Sequence, residues 1–370
     1  MIDKENQEIR ELILSEPKII KKKTSSEKEK DFLEILKLFA PGTAIRSALD
    51  DLLNARMGAL IVFENEFTQD LIDGGFRINS KFSSQKLVEL SKMDGATILS
   101  KDAKRILYAN TLLFPDVGIK TKETGTRHKA AERAAKQTNT IVIAVSERKN
   151  KVTVYQGEMR YELKESSEIL RRASETLQVL EKQREIFDHL ISNLNVLEFS
   201  GLVTVNSVCS ILQRMEIIKR ISAMVKRYLI ELGKEGTVVS MRLKELAGNL
   251  NKDEEIILKD YFGSKYLTAT DILEKMNFDF LLESSNISRM LFEELHDKSI
   301  SPRGIRLLNK INILEKYVTM LINRFKNFNR ILSAGEEELL LVFEKREMVD
   351  FFHKEMNKLK EKAIMGKEIR

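Results

Sequence analysis

The sequence predicts an α/β domain at its N-terminal end and an all-α remainder. Up to about Leu163, short β-branched apolar runs alternate with amphipathic segments of helical period, the pattern of a sheet flanked by helices. Beyond Leu163 strand signals almost vanish, and apolar residues recur at three- and four-residue steps. At 370 residues the chain is long enough for two or three domains. These shifts divide it into a charged N-terminal arm (1–30), an α/β domain (31–163), a helical linker (164–300) and a C-terminal helical domain (301–370).

The elements follow in order. The arm is charge-dense, broken by Pro17, and carries Lys21-Lys22-Lys23, which reads as a solvated segment. FLEILKLFAPG is helical and stops at Pro41-Gly42; TAIRSALDDLLNARMG is a second amphipathic helix ending at Gly58. ALIVF (59–63) is a continuous apolar run, expected as a buried strand. DGGFRINSKFS reads as turn-rich, and SSQKLVELSKM as a capped helix. ATILS, RILYANTLLF and TIVIAVS are strand-like, and KVTVYQGEMRYEL alternates around a glycine turn as a hairpin. In the linker, Ile169, Leu170, Ala173, Leu177, Leu180, Phe187, Leu190, Ile191 and Leu194 define one long amphipathic helix suited to pairing with a copy of itself. Breaks fall at Gly201, at Gly233 to Gly236 and at Gly263, and from Ser301 several short helices are expected.

Composition narrows the function. Charged residues make up 32% and apolar residues 42%, which suits a folded, helix-rich chain. No apolar run approaches the roughly 20 residues a bilayer requires, and the N-terminus lacks a signal-peptide core. The one cysteine, Cys209 in VNSVCSIL, excludes an internal disulfide and a cysteine-based zinc site, and reads as a buried apolar position. A cytoplasmic location is expected. Net charge is +6, and basic residues exceed acidic ones by about five after Ser301, compatible with a polyanionic partner.

Two stretches carry chemistry. In GTRHKAAERAAKQT (125–138) a glycine, a hydroxyl, a guanidinium, an imidazole and an ammonium lead into an alanine-rich helix. A helix start attracts anions through its unpaired N–H groups and partial positive charge. Thr126 can cap the helix or bond a phosphate oxygen, Arg127 can grip phosphate with two donors, His128 can donate, and Lys129 adds a point charge. A capped helix with a solvated basic turn would look similar. Yet two cations at a helix N-terminus oppose its dipole, which stability alone would avoid. The second stretch is KMDGATILS: Asp94 lies between helix and strand, where a carboxylate can hold Mg²⁺ or polarise a hydroxyl, and Gly95 would let a ligand lie against the backbone. The same Asp-Gly pair also suits a plain turn. Together the two suggest nucleotide chemistry, with DGGF (73–76) as a further glycine lining. His189, His296 and His353 lack metal-ligand spacing, and neither a Walker A loop nor GxGxxG is present.

DGA at 94–96 followed by GTRH at 125–128 resembles the paired DGA and RHR signature of the diadenylate cyclase (DAC) domain family. APGT (40–43), GALIVF (58–63), DGGF (73–76), ELSKMDGA (89–96), ILYAN (106–110), ETGTRH (123–128), AERAAKQT (131–138) and IAVSER (143–148) are similar to one branch of that family, and the likeness runs from about residue 31 to 362. In that branch a helical spine follows, which TLQVLEKQREIFDHLISNLNVLEF resembles, and then a helix-hairpin-helix region, which RGIRLLNKI (303–311) and EEELLLVFEK (336–345) resemble.

The resemblance implies a mixed sheet flanked by helices, an all-α linker and a helix-hairpin-helix-like end. It implies that two ATP molecules facing each other across two subunits become cyclic di-AMP and two pyrophosphates. Asp94 would bind Mg²⁺ or Mn²⁺ and, with Arg127 and His128, act in catalysis; Gly95, Leu113, Thr126, Arg127, His128, Lys129 and Ala130 would contact ATP, and Ser146 a phosphate. The family assembles as an octamer, so a monomer should be inactive. Three departures stand out. RHR is RHK here, which keeps the charge of Lys129 but loses the guanidinium fork. Ala130 replaces a threonine common in this branch. At the C-terminus the glycine-rich hairpin that presents N–H groups to DNA phosphate is replaced by Val342-Phe343-Glu344-Lys345-Arg346-Glu347, with a shortened turn. Lys345, Arg346 and the surrounding basic residues could still attract DNA. Two other readings stay open: a DNA-binding scaffold that has kept the fold, and an ATP-using nucleotidyltransferase that does not cyclise.

Overall fold

The computed structural model describes residues 33–293 and 297–367; the expected arm over 1–30 and His296 lie outside the described residues. Among those described, one compact unit takes in the chain up to Ala173 together with Arg227–Val238, and a second takes in Ser174–Lys226 together with the chain from Val239 onward.

The first unit is built on a mixed sheet ordered β2-β5-β4-β1-β6-β7-β8, with β3 also paired to β5. Its strands are β1 (Ala59–Phe63), β2 (Ile72–Asp73), β3 (Phe76–Lys81), β4 (Ala96–Leu99), β5 (Arg105–Leu113), β6 (Ile141–Ser146), β7 (Lys151–Gln156) and β8 (Met159–Glu162). β1 and β4 run parallel at the centre, and the other pairings are antiparallel. β1 and β4 are buried at every position, as continuous apolar runs covered on both faces must be. On one face lie the helical stretch over 33–38, α1 (Ala44–Asn54) and α2 (Ser84–Leu90), with Leu49, Leu52, Ile61, Leu99 and Ile143 fully buried among them. α3 (Thr126–Thr138) covers the other face, laying Ala131, Ala134 and Ala135 on Leu60, Val62, Ile98, Val142 and Ala144. Each large aliphatic side chain so buried contributes about 1.5–3 kcal/mol. Alanines in the helix let it sit close to the sheet.

One expectation needs correction. DGGFRINSKFS, read as turn-rich, holds β2 and β3. β3 is largely exposed and carries a bulge between Arg77 and Ser80, with Asn79 at positive φ, so its sequence shows neither a buried run nor regular alternation.

The second unit is helical. Its principal elements are α4 (Ser166–Ser200), α5 (Val205–Leu232), α6 (Thr237–Ala247) and α7 (Leu250–Phe262), followed by α8 (Tyr266–Lys275), α9 (Phe278–Leu281) and α10 (Ser284–Leu291). Helices α11 (Ile305–Leu308), α12 (Glu315–Phe325), α13 (Phe328–Ser333), α14 (Glu336–Phe343) and α15 (Arg346–Ile364) complete the chain. Residues 166–173 of α4 and 227–232 of α5 count with the first unit. The long helix over 166–200 forms as its periodicity requires, and Cys209 is fully buried. Leu170, however, is 39% exposed, while Thr176, Gln183, Asn195 and Glu198 are buried. The interior of this unit is therefore partly polar. The last helix, α15, spans 19 residues and is not short. Phe199, Leu307, Phe325, Phe328, Phe343 and Phe352 belong to one apolar core.

At the hub of this unit Glu198, Arg306 and Asp260 are almost completely buried. Arg306 donates to Glu198 Oε2 at 2.6 Å and to Asn195 Oδ1 at 2.6 Å, and Tyr261 donates to Glu198 Oε1 at 2.6 Å. The Asp260 carboxylate accepts the backbone N–H groups of Gly304, Ile305 and Arg306 at 2.8, 2.6 and 2.8 Å. Burial and the nearby Glu198 push its carboxyl up to about 7, against the pull of the Arg306 and Ile305 N–H groups and the Arg306 charge.

Candidate nucleotide-binding site

The site forms at the end of the sheet where β1 and β4 begin. Parallel pairing matches Ile61 with Thr97. Gly58 and the Asp94-Gly95 bend directly precede these two neighbouring strands. On the outer sides, β5 pairs Thr111 with Ala96 and β6 pairs Val145 with Ala59. Leu113 ends β5 and Ser146 ends β6 at this same end of the sheet, and Leu113, Asp94 and Ser146 are among the residues expected from sequence.

The N-terminus of α3 meets this end of the sheet at Gly58. A Cβ built on Gly58 would stand 2.0 Å from an Arg127 guanidinium nitrogen, so the guanidinium occupies the space that a side chain at 58 would take. Gly58 was not identified from sequence; its only signal was a glycine directly before a buried strand. Asp94 lies exposed in the bend between α2 and β4. Gly95 has φ +90, and a Cβ there would meet the Thr111 carbonyl oxygen at 2.6 Å. Gly75, at φ +86, approaches the same residue, its added Cβ falling 2.5 Å from Thr111 Cγ2. Both conformations and both approaches require glycine. Thr111 in turn donates to the Ala96 carbonyl at 2.8 Å, anchoring the β4–β5 junction behind Asp94.

At α3 itself, Gly125 occupies the N-cap in an extended conformation with no side-chain bond to the helix. Thr126 is the first helical residue rather than the cap, which leaves its other expected role, a hydroxyl for phosphate. The Lys129 N–H donates to the Gly125 carbonyl at 2.9 Å as the first helical bond. By helix geometry the N–H groups of Thr126, Arg127 and His128 precede that ladder and face outward. Among the described residues neither Arg127 nor Lys129 pairs with a carboxylate. Lys129, Ala130 and His128 are half-buried, Thr126 and Arg127 exposed, and Leu113 half-buried against the α3 core.

The loop before α3 is stitched to the helix it feeds. Glu132 accepts the Thr121 hydroxyl and Lys122 N–H and pairs with Lys136 at 3.0 Å; Arg133 holds the Ile119 carbonyl at 3.0 Å. Glu123 accepts Tyr155 OH at 2.9 Å and Arg160 Nε at 2.6 Å, and the Tyr155 ring meets His128 edge-on with centroids 6.5 Å apart. This second layer, Glu123, Tyr155 and Arg160, was not assigned from sequence, although Glu123 opens the ETGTRH phrase. Burial moves the Glu123 carboxyl up, but the bonds from Arg160 and Tyr155 outweigh it and hold it below the ordinary range. Burial pushes His128 below its ordinary value; Arg127, Arg160 and Lys149 act in the same sense and Glu123 opposes them. The imidazole is thereby kept neutral near pH 7.

The remaining site candidates lie elsewhere. Lys345 and Arg346 are exposed at the start of α15, and Arg346 stands 3.7 Å from Glu336. The turn between α14 and α15 is two residues long, with Glu344 at φ +62 where glycine would be unstrained. The turn between α12 and α13 repeats it, with Lys326 at φ +59 and Asn327 as N-cap.

The described residues contain no helix long and apolar enough to cross a membrane. The family model described as "DisA bacterial checkpoint controller nucleotide-binding" matches residues 46–160, and that of the DisA linker region matches 163–296. The DNA integrity scanning protein DisA of Clostridioides difficile is 44% identical over 319 residues, covering 84% of this chain and 89% of its own. DisA of Acetivibrio thermocellus is 44% identical over 321 residues, with the same coverage. The crystal structure of a hypothetical membrane spanning protein from Bacillus cereus aligns with 44% of this chain and 89% of its own at 23% identity; its TM-score of 0.32 is too low to carry an argument. The chain belongs to the DisA family, with residues 46–160 as its nucleotide-binding diadenylate cyclase domain and residues 163–296 as its linker.

Proposed function

We propose that this cyclase joins two ATP molecules into cyclic di-AMP at a site completed by a second copy of the chain. The observation that supports it is the Arg127 guanidinium packed over Gly58, at an open helix N-terminus and at the sheet end where the Asp94-Gly95 bend leads into β4. Each 3′-oxygen attacks the α-phosphorus of the facing ATP. A 3′-O–P bond forms, the bond to pyrophosphate breaks, and the hydroxyl proton is released. Thr126, Arg127, His128 and Lys129, with the first N–H groups of α3, hold the phosphates and the charge that develops on them. Gly95 lets the nucleotide lie on the backbone, and Leu113 and Ala130 flank it.

Asp94 is the residue that would hold Mg²⁺ or Mn²⁺. No group of three or more potential protein ligands occurs among the described residues. One exposed carboxylate beside a phosphate cradle suits an ion shared with substrate phosphates. Such an ion would neutralise phosphate charge and favour ionisation of the 3′-hydroxyl.

Self-association into an octamer fits the same geometry. Phe67, Phe76, Leu112, Phe114 and Val117 are each more than half exposed around the β2–β5 edge next to the site, an apolar patch suited to a second copy. Incubation with ATP and Mn²⁺ or Mg²⁺, followed by chromatography, should yield cyclic di-AMP. A linear dinucleotide would support a non-cyclising transferase, and no product at all a scaffold, the reading that Lys129 in place of arginine leaves open and the intact Asp94-Gly95-Ala96 and Arg127-His128 oppose.

DNA binding through the C-terminal helices is proposed to be weak and electrostatic, since Glu344 and Lys345 replace a glycine turn and Lys345 and Arg346 supply only exposed charge. Binding of four-way-junction and linear DNA should fall steeply and alike between about 50 and 200 mM salt. Junction-selective binding at the higher salt would refute this.

A further inference from the structure

We propose that Glu132 is a positioning residue for the phosphate-binding turn: buried on α3, it clamps the loop over 114–125 back along the helix through Thr121 and so fixes where the chain enters at Gly125 and Thr126. The proposal rests on the assignment of the α3 N-terminus to the phosphates of ATP.

Loop and helix meet along their length. The loop leaves β5 and returns toward the α3 N-cap past two adjacent rows of α3 side chains, Glu132 with Lys136 and Arg133 with Gln137, each pair one turn apart. Gln137 accepts the Asp116 N–H at 2.9 Å, Arg133 donates to the Ile119 carbonyl at 3.0 Å, and Lys136 donates to the Lys120 carbonyl at 3.1 Å. Glu132 then takes the Thr121 hydroxyl and, at 3.3 Å, the Lys122 N–H on Oε2, while its Oε1 faces Lys136 at 3.0 Å. One oxygen serves the helix and the other the loop. The Thr121 hydroxyl in turn accepts the Glu123 N–H at 3.1 Å, and the Glu123 carboxylate is held by Tyr155 and Arg160. Only Glu123 and Thr124 separate the clamped Lys122 from Gly125, a reach of about 11 Å at full extension.

The open helix start gives the clamp its purpose. A side-chain cap would hold the first turn by roughly 1 kcal/mol, but it would also occupy N–H groups that a phosphate needs. Gly125 supplies no such cap. The chain instead fixes its first turn from behind, through Glu132, and leaves the anion-binding face free. Glu132 is the one acidic residue of α3 and lies in its second turn. It is buried, whereas a plain partner for Lys136 one turn away would stand in solvent. With the clamp released, the turn would be competent for only part of the time. Apparent affinity for ATP would fall by that fraction, and turnover of bound substrate would not.

The test measures binding and turnover separately on the full chain. Equilibrium dialysis of 3′-deoxyATP with Mg²⁺, a nucleotide without the attacking hydroxyl, reports binding alone, and cyclic di-AMP formation at saturating ATP reports kcat. Thr121→Val, which removes the hydroxyl between Glu132 and Glu123, should weaken 3′-deoxyATP binding at least about fivefold with kcat within about twofold of wild type. Glu132→Ala should do the same, and the double variant should bind no worse than Glu132→Ala alone, since both act through one contact. Thr121→Ser, which keeps the hydroxyl, should bind as the wild type does. Unchanged binding in both single variants overturns the proposal, as do additive losses in the double variant. A fall in kcat and melting temperature at unchanged affinity would show a merely structural role and overturn it too. If the wild type binds 3′-deoxyATP but makes no cyclic di-AMP, the reaction proposed above fails, and fivefold weaker binding in Thr121→Val still upholds the clamp. A wild type that binds no nucleotide overturns both.

Discussion

Two helix starts in this molecule are built in opposite ways. At α11, a buried carboxylate, Asp260, receives the N–H groups of Gly304, Ile305 and Arg306, and the Arg306 side chain turns back to Glu198. At α3, the N-cap is a glycine with nothing to donate or accept from its side chain, and the first turn carries Arg127 and Lys129 without carboxylate partners among the described residues. The first satisfies its dipole from within the chain, as a structural joint does. The second leaves its dipole and its cations for an anion from outside. The contrast teaches how to tell a structural helix start from a binding one: ask whether the chain supplies its own negative charge.

The two starts should respond oppositely to substitution. The largest effect is expected from Asp94→Asn beside the open start. Cyclic di-AMP formation should drop at least about 100-fold, about 3 kcal/mol in the barrier, with no change in melting temperature. Near-wild-type turnover would remove Asp94 from the site. Asp260→Ala at the closed start should do the reverse. Three N–H groups lose their acceptor in the interior, so the helical unit should lose about 3 kcal/mol by denaturant titration; a loss below about 1 kcal/mol would show that water replaces the carboxylate without strain.

The closed start also predicts a pH dependence. The Asp260 carboxyl takes a proton more readily in the fold than in the unfolded chain, its pKa pushed up to about 7 by burial and Glu198. The stability that this proton uptake adds is therefore fully present below the ordinary carboxylate range and is lost as pH rises through about 7. The melting temperature of the wild type should decline over that window, and that of Asp260→Ala should not.

Smaller effects sharpen the open start. Gly58→Ala would press a methyl group into the Arg127 guanidinium; the displaced side chain should cost about tenfold in kcat/KM for ATP, whereas an unchanged value would mean that Arg127 moves aside freely. Lys129→Arg, which adds a planar fork, should leave turnover unchanged or raise it a few-fold. A tenfold loss would show that the site is shaped around lysine.

Much of this was legible in the chain. Strands of consecutive apolar residues, such as ALIVF, declare themselves because both faces are covered, and the helix over 166–200 declares itself by its period. β3 did not, since an exposed, bulged edge strand needs no regular pattern. In the site, Asp94 and the GTRH turn stood out because their residue types are costly unless used. Gly58, Glu123, Tyr155 and Arg160 did not, because each looks ordinary until its neighbour is known. Tyr155 in KVTVYQ reads as a strand aromatic, and only folding brings it to Glu123 and His128.

From the sequence alone came most of the helices and strands, though not β3, the placing of the nucleotide chemistry in the first 163 residues, and the absence of glycine between Val342 and Glu347. These follow from local rules of period, propensity and residue chemistry, which act over a few positions. It took the tertiary structure to bring Gly58, the Asp94-Gly95 bend and the ends of β5 and β6 to one end of the sheet, to set Arg127 in the space over Gly58, and to close one helix start with Asp260 while α3 stays open. Those relations span tens of residues and depend on strand register and packing. A shift of one residue in a single strand would undo them without altering any local signal.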